Sequence, residues 1–395
     1  MDWQEDLRRL AASVRSRLKE RASTLNRVIG PDPVYIAAYR GYGGAGRVLL
    51  LGRVLENEGL AQAEPSHSKL RNLLAMLKRL ESDPQPHARV RVRGEAGMRE
   101  IVADDEGFIR QWIEMDTARV SGWGSLRLEL VTGPSVAAQA PFLVPAATAS
   151  YGVISDMDDT VLQSHVTDFI QAAGMVLLEN ALTRLPFPGV AAFYRALECG
   201  RTGNDANPIF YVSSSPWNLY DVISEFLNAQ GIPAGPLLLR DWDLGPSLLR
   251  NAAYKLGVIR EILATYPGLR FILIGDSAQE DPEIYADVVA GHPGRILAVY
   301  IRNVSRYPED PPAMRILVER ISHAGSTLVL ADDTLAAARH AVANGWIREE
   351  TLRSIGEEKQ ADEGRGGKEP TPGVQEAAPA PTVVIDSNRT TRESD

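Results

Sequence analysis

The feature that most constrains the fold is a repeated alternation of short apolar runs and helical patterns between residues 150 and 348. The apolar runs are rich in β-branched residues and occur in the order GVISD, PIFYVS, PLLLR, FILIGD, RILAVYI and STLVLA. Helical patterns, such as those over residues 216–230 and 254–266, separate them. Strands separated by helices form parallel sheets that helices cover on both faces. The sequence therefore predicts an α/β fold with a doubly wound parallel sheet over residues 148–352.

Residues 31–147 have a different pattern, in which short alternating runs are punctuated by glycine. Strict alternation in RVRVR at residues 89–93 indicates a strand with one buried and one solvated face. We expect a small antiparallel β-sandwich domain, with a helix over Ser68–Glu81 inserted in one connection. Its sequence offers no metal-ligand or nucleophile cluster, which favours a role in placement or binding over chemistry.

The two ends of the chain are predicted to lie outside these domains. Residues 1–30 have apolar positions at helical spacing and a basic opposite side, as expected for an amphipathic helix. Such a helix could pack on a neighbouring domain, or it could lie in a membrane interface. Residues 353–395 contain few large apolar side chains, so we expect a disordered tail.

Length, charge and cysteine content exclude several classes of protein. The 395 residues suggest two or three domains at roughly 150 residues each. The net charge of −9, from 42 basic and 51 acidic residues, is a poor match for nucleic acid. The single cysteine, Cys199, excludes an internal disulfide and a multi-cysteine zinc cluster. No apolar run reaches the ~18 residues of a membrane span, and the start lacks the layout of a signal peptide. We therefore expect a cytoplasmic setting, with the basic helix as a candidate contact for a membrane surface.

Acidic side chains crowd the end of the first predicted core strand. The run DMDDT places Asp156 and Asp158 on the same side of the chain as it leaves the strand. Three interpretations are open: a calcium loop, a turn with capping roles, or the nucleophilic aspartate of a phosphoryl-transfer enzyme. A calcium loop of the helix-loop-helix type would need glycine and glutamate where the chain has Val161 and Thr167.

The second and third predicted elements add polar residues. Ser213 is the first polar residue at the end of the second buried strand, where a hydroxyl can bind a phosphoryl oxygen. The role of Ser214 is open, and Ser215 before Pro216 is typical of a helix start. Lys255 lies in an apolar helical pattern, where it has no packing role. A lysine on a helix is usually solvated, so this residue carries little information alone.

A second acidic cluster follows the fourth predicted strand. Asp276 comes directly after Gly275, and Asp281 lies five residues later, before a helix that Pro282 opens. Because ligands of parallel sheets bind outside the carboxyl ends of the strands, two acidic clusters there converge on one cation. Arg302 ends the fifth strand on the same side.

Taken together, DMDDT, YVSSSPWNLY, Lys255 and FILIGDSAQEDPEIY resemble the haloacid dehalogenase superfamily of phosphotransferases. More narrowly, they resemble the catalytic domain of the actin-patch-protein type of phosphatidate phosphatase, a relative of the lipins. The resemblance covers roughly residues 149–305. It implies a Rossmann-like sheet of the haloacid dehalogenase type and Mg²⁺-dependent conversion of phosphatidate to diacylglycerol. Only 52 residues separate Thr160 from Ser213, which leaves no room for a large cap over the site.

The resemblance implies a catalytic role for four positions. Asp156 would attack phosphorus and form an aspartyl-phosphate. Asp158 would protonate the leaving alkoxide and then activate water. Ser213 and Lys255 would hold and neutralise the phosphoryl oxygens. Further substrate contacts are predicted at Thr160, Ser214 and Arg302.

The resemblance also implies a Mg²⁺ site. Its ligands would be the Asp156 side chain, the Asp158 backbone carbonyl and Asp276, with Asp281 acting through water or by orienting the others. The expected partner is a phospholipid. Two alternatives are a phosphatase for a non-lipid ester and a catalytically silent, metal-bound binding module.

Overall fold

The structure is a computed structural model that describes residues 34–56, 83–94, 97–131, 136–157, 187–240, 248–277, 281–303 and 311–366. In these ranges the chain is an α/β protein with two sheets, one of seven strands and one of six. Several predictions fall outside the described residues. These are the helices over 1–30 and 68–81, the positions of Asp158 and Thr160, and the part of the tail after residue 366.

The N-terminal sheet has the strand order β4-β3-β6-β7-β1-β2-β5. Its pairings are antiparallel except that of β1 with β7, which is parallel. The strands are β1 (Val34–Gly44), β2 (Arg47–Glu56), β3 (Arg89–Gly94), β4 (Gly97–Val102), β5 (Phe108–Glu114), β6 (Gly122–Leu130) and β7 (Ala137–Val144).

This sheet curls into a nearly closed barrel instead of forming the predicted sandwich. Its edge strands β4 and β5 are joined by only residues 103–107, so the two edges must come close together. The inward residues of both edges, such as Ile101 and Ile109, share one apolar core with Val90 and Leu128. The alternation predicted one buried face correctly. It could not tell whether a second sheet or the far side of the same sheet covers that face.

The six-stranded sheet is parallel throughout and has the order β10-β9-β8-β11-β12-β13. All six predicted strands are present. They are β8 (Gly152–Asp156), β9 (Ile209–Pro216), β10 (Leu237–Arg240), β11 (Phe271–Asp276), β12 (Ile296–Arg302) and β13 (Thr327–Ala331). Counted from β8, this is the order 3-2-1-4-5-6 of dinucleotide-binding sheets, which places ligands where the order reverses, between β8 and β11.

The described helices follow these strands as expected for parallel connections. They are α1 (Val190–Cys199), α2 (Tyr220–Ala229), α3 (Leu248–Thr265), α4 (Asp281–Gly291), α5 (Pro311–His323), α6 (Thr334–Ala343) and α7 (Thr351–Gly366). Among the described residues, no helix is long and apolar enough to cross a membrane.

The two sheets are joined through a shared apolar junction. In β2, Val48 and Leu50 face the barrel core, whereas Leu49 and Leu51 pack into the core of the parallel-sheet unit. Strand β2 is therefore buried on both faces, which explains why its sequence is apolar without alternation. Across the junction, Tyr266 donates a hydrogen bond to the Gly43 carbonyl at 3.0 Å.

Helix α7 corrects the predicted start of the disordered tail. Its Ile355 is fully buried, and two of its acidic side chains satisfy the amino end of α1. Glu358 accepts a hydrogen bond from the Ala192 amide at 2.8 Å, and Asp362 accepts one from the Gly189 amide at 3.0 Å. The composition gave no sign of this helix. Its contacts with the rest of the protein come from one buried isoleucine and from two acidic side chains that cap α1, so its sequence is largely polar.

Truncation after residue 350 is expected to lower the free energy of unfolding by roughly 4 kcal/mol, because it removes a buried isoleucine and two helix caps. Chemical denaturation would measure this loss. Truncation after residue 366 is the matched control, since it leaves α7 intact. Equal stability of the two shortened proteins would show that α7 does not support α1.

Candidate active site

Carboxylates meet at the switch point of the parallel sheet. Asp156 is the last residue of β8, and Asp276 is the last residue of the neighbouring β11. Both side chains are buried, Asp156 to 1% exposure and Asp276 to 0%. Burial of this much negative charge is costly without a compensating cation.

Lys255 supplies a cation at the centre of this cluster. Its Nζ lies 2.8 Å from Asp156 Oδ1 and 2.8 Å from Asp281 Oδ1, and its side chain is only 4% exposed. Burial alone would lower the pKa of Lys255, but the two carboxylates outweigh this and raise the pKa above its usual value. The lysine is therefore positively charged at any physiological pH, and it joins the end of β8 to the start of α4.

Asp281 is held in place from two directions. Its Oδ1 accepts from Lys255, and its Oδ2 accepts from the Asp276 amide at 3.3 Å. A side chain at Gly275 would place its Cβ 2.5 Å from Asp281 Oδ2, so only glycine allows this approach. Asp281 thereby orients both Lys255 and the chain at Asp276.

The site can hold a divalent cation. Asp156, Asp276 and Asp281 each offer a carboxylate oxygen within 4.8 Å of the others, and all three are buried. Hard oxygen ligands of this kind suit Mg²⁺. Because both oxygens of Asp281 already accept hydrogen bonds, its arrangement fits an orienting role better than direct coordination.

The serine segment Ser213–Ser215 lies beside Asp156. The strand partner of Asp156 in β9 is Val212, so Ser213 is one residue beyond the level of Asp156. Ser213 is fully buried, and its Oγ accepts a hydrogen bond from the Ser215 amide at 2.9 Å. The buried hydroxyl oxygen of Ser214 has no hydrogen-bond partner among the described residues, so it is available to a ligand. Ser215 does not cap the following helix as predicted, because β9 continues to Pro216.

Buried tyrosines support the strand ends from below. Ser155 donates to the Asp156 carbonyl at 2.6 Å, and its oxygen is 2.7 Å from the hydroxyl oxygen of Tyr194. Tyr285 donates to the Ile274 carbonyl in β11 at 2.8 Å. Burial raises the pKa of both tyrosines, so they remain neutral hydrogen-bond partners. These hydrogen bonds therefore hold the polar ends of β8 and β11 in position.

Arg302 lies at the end of β12, level with Asp276 in the strand pairing. Its guanidinium carbon is 3.4 Å from the ring centre of Phe187. Burial lowers the pKa of Arg302 to about 10, so the group is still cationic at neutral pH. It lines a cavity of about 30 Å³ together with Tyr194 and Asp333, which is room for about one water molecule.

The structure thus brings together the predicted positions 156, 213, 255, 276 and 281. Ser214 and Arg302 flank them, whereas Asp158 and Thr160 lie outside the described residues. The sequence did not show that Lys255 is buried between two aspartates, because the pattern of α3 gives no sign of its tertiary partners. The sequence reasoning also missed Tyr194 and Tyr285, because mostly apolar residues surround both of them in the sequence, as they surround ordinary core residues.

A parallel sheet of this strand order, with a buried lysine between aspartates at its switch point, defines an α/β protein with the site of an enzyme. Residues 151–303 match the family described as phosphatidate phosphatase APP1, catalytic domain. The match confirms the predicted resemblance and nearly coincides with its expected extent.

Two curated relatives cover the same region. The chain is 30% identical to phosphatidate phosphatase APP1 of Saccharomyces cerevisiae over 167 residues, which is 41% of this chain and 27% of the relative. It is 30% identical to an uncharacterized protein of Schizosaccharomyces pombe over 159 residues, 38% of this chain and 25% of that protein. The alignments thus span about a quarter of each relative.

Similarity to solved structures is distant. A carbohydrate acetylesterase from Xanthomonas citri aligns with 13% identity and a TM-score of 0.25, covering 67% of this chain and 66% of the other. A flavohem-like FAD/NAD-binding domain of nitric oxide dioxygenase from Vibrio cholerae aligns with 13% identity and a TM-score of 0.14, covering 69% of this chain and 100% of that domain. Scores this low do not establish a shared fold.

Proposed function

We propose that this protein is a Mg²⁺-dependent phosphatase of the haloacid dehalogenase type that converts phosphatidate to diacylglycerol. The observation that carries the proposal is the buried ion-paired set of Asp156, Lys255 and Asp281 at the switch point of the sheet. A carboxylate fixed beside a permanent cation, where ligands bind, suits nucleophilic attack on an anionic phosphoryl group.

In the first step, an oxygen of Asp156 attacks phosphorus and forms an O–P bond, while the bond from phosphorus to the lipid oxygen breaks. The departing alkoxide takes a proton from Asp158, so diacylglycerol leaves as the neutral alcohol. Lys255 offsets the negative charge of the phosphoryl oxygens. Ser213 and Ser214 bind those oxygens through their hydroxyl groups. The assignment is supported by the Ser214 hydroxyl, which has no hydrogen-bond partner in the part of the chain that the structure describes.

In the second step, Asp158 accepts a proton from water, and the water oxygen attacks phosphorus. The bond between Asp156 and phosphorus breaks, which releases inorganic phosphate and restores the carboxylate. When bound, Mg²⁺ would neutralise phosphoryl charge and align the phosphoryl group with Asp156. Asp156 and Asp276 would hold it, and Asp281 would keep Asp276 and Lys255 in position.

The lipid substrate is proposed from the relative in Saccharomyces cerevisiae, whose name specifies phosphatidate. Arg302 is proposed to contact the head group, since it is cationic and lies beside Asp276 at the same end of the sheet. Peripheral contact with a membrane would bring the site to its substrate, and the basic segment over residues 1–30 remains the proposed contact.

Phosphate release from phosphatidate, lysophosphatidate, a sugar phosphate and a phosphopeptide would test the proposal. We expect release from phosphatidate in detergent micelles. Release confined to the sugar phosphate or the phosphopeptide would exclude a lipid phosphatase. No release from any ester, with metal binding retained, would favour the silent binding module.

Metal removal gives a separate prediction. EDTA is expected to stop phosphate release, and added Mg²⁺ to restore it. Asp276→Asn is expected to weaken Mg²⁺ binding by at least about tenfold, as measured by calorimetry, because it removes a charged ligand. Asp287→Asn is the matched control, since Asp287 pairs with Arg320 on an exposed part of α4. Unchanged Mg²⁺ affinity in Asp276→Asn would argue against this metal site.

A further inference from the structure

We propose that Arg53 of the N-terminal sheet is a positioning residue for the serine segment, and that it acts through Asn218. The proposal goes beyond the proposed function by giving the barrel-like domain a part in building the site. It rests on that function in one respect, since Ser213 and Ser214 are assigned there to the phosphoryl group.

Arg53 is a buried arginine that its own domain holds on two sides. Its Nε donates a hydrogen bond to the Glu106 carbonyl at 2.9 Å, and its Nη2 lies 3.5 Å from Glu106 Oε2. The guanidinium carbon lies 4.3 Å from the ring centre of Phe108. Only 10% of the side chain is exposed. These contacts fix the orientation of the planar group, so its Nη1 donor points in a defined direction.

That donor crosses the junction between the two units. Arg53 Nη1 donates to Asn218 Oδ1 at 2.7 Å. Asn218 lies in the short 3-10 helix Trp217–Leu219, which begins two residues after Ser215. A hydrogen bond from a charged donor is stronger than one between neutral groups. The N-terminal sheet thus holds the 3-10 helix that follows the serine segment.

Neighbouring contacts reinforce this attachment. The ring of Trp217 stacks on Tyr39 of β1, with ring centres 5.0 Å apart. The Arg40 amide in β1 donates to the Tyr220 hydroxyl at 2.8 Å. The N-terminal sheet therefore contacts three residues that follow Pro216, which are Trp217, Asn218 and Tyr220. Arg53 makes the one contact in this set that is charged.

The serine segment depends on this support for a local reason. The 3-10 helix has no side-chain cap among the described residues, so its amino end is not fixed by its own sequence. The Ser215 amide binds back to Ser213, which links the helix to the residues that face the site. Displacement of the helix would therefore move the hydroxyl groups of the serines. Misplacement by about 1 Å can cost about a hundredfold in rate.

Arg53→Met, Asn218→Ala and the double variant test the proposal through amide hydrogen exchange of residues 213–219. Each single variant is expected to speed this exchange about tenfold, and the double variant no more than either single one, because the same contact is lost. Exchange of β11 should not change. Asn218 is exposed, so Asn218→Ala reports even if Arg53→Met folds poorly. Arg110→Met is the matched control, since Arg110 pairs across the same junction with Glu261 in α3, at 2.6 Å.

Kinetics give the second readout. With phosphatidate, both single variants are expected to lower kcat/KM about tenfold, while Mg²⁺ affinity stays as in the unmodified protein. Arg53→Lys should recover part of the loss. Unchanged exchange over residues 213–219 in both single variants would overturn the positioning role. If the unmodified protein releases phosphate from no ester, the proposed function fails, and the exchange experiment still decides the role of Arg53.

Discussion

Asp156→Asn is expected to abolish phosphate release, with a loss of at least about ten-thousand-fold in kcat. The amide that replaces the carboxylate is a poor nucleophile and carries no charge to hold Mg²⁺. The two side chains have nearly the same shape, and Asp281 still binds Lys255 at 2.8 Å, so the fold should persist. Phosphate release from phosphatidate, measured beside a circular dichroism melt, would separate lost chemistry from lost structure.

Asp205→Asn is a suitable control for this variant. Asp205 is also buried, at 2% exposure, but it binds the Arg201 amide and Ser150, which precedes the opposite, amino end of β8. Its loss is expected to lower thermal stability while the folded protein keeps its turnover. Near-normal phosphate release by Asp156→Asn would refute the assignment of the nucleophile.

Lys255→Met is expected to reduce kcat by about a thousandfold, because it removes the cation beside the phosphoryl group. It should also lower the free energy of unfolding by about 3 to 5 kcal/mol, since two buried carboxylates lose their partner. The native lysine has a raised pKa. The contribution of Lys255 to stability is therefore complete below the pKa that this lysine has in the unfolded chain. It is lost only when the pH rises above the pKa of Lys255 in the folded protein. No titration of Lys255 is expected between about pH 6 and 9.

The variant should respond to acid in the opposite sense. Without Lys255, mutual repulsion and burial favour the protonated form of the carboxyl groups. The difference in free energy of unfolding between the native protein and Lys255→Met is therefore expected to shrink as pH falls from about 8 to 5. Denaturant titrations at several pH values would measure it. A second variant, Lys255→Met with Asp281→Asn, should regain stability without regaining activity. A constant deficit across this pH range would contradict the electrostatic explanation.

The sequence predicted much of the parallel sheet because the information is local. Six apolar runs, each bounded by polar or glycine residues, correspond to β8–β13, and strand ends predict where a site lies. The same reasoning brought Asp156 and Asp276 together, although they lie 120 residues apart. Each is the first charged residue of its apolar run and ends a buried strand.

Features that depend on tertiary contacts were not predictable in this way. The lysine at position 255 was uninformative in sequence, and its importance comes from aspartates on two other elements. The barrel was mistaken for a sandwich because periodicity does not report what covers a buried face. Helix α7 looked like a tail because its function is to cap α1, and the partners of a cap are invisible in local composition.

Because β2 is buried on both faces, the packed unit around the parallel sheet includes residues outside the segment that matches the family. The family match spans residues 151–303, but the apolar core extends beyond both limits. The six-stranded sheet is completed by β13 at residues 327–331, and its core continues into Leu49 and Leu51 of the other domain. The matched segment is thus smaller than the packed unit to which it belongs. Residues on both sides of that segment contribute to its apolar core in this chain.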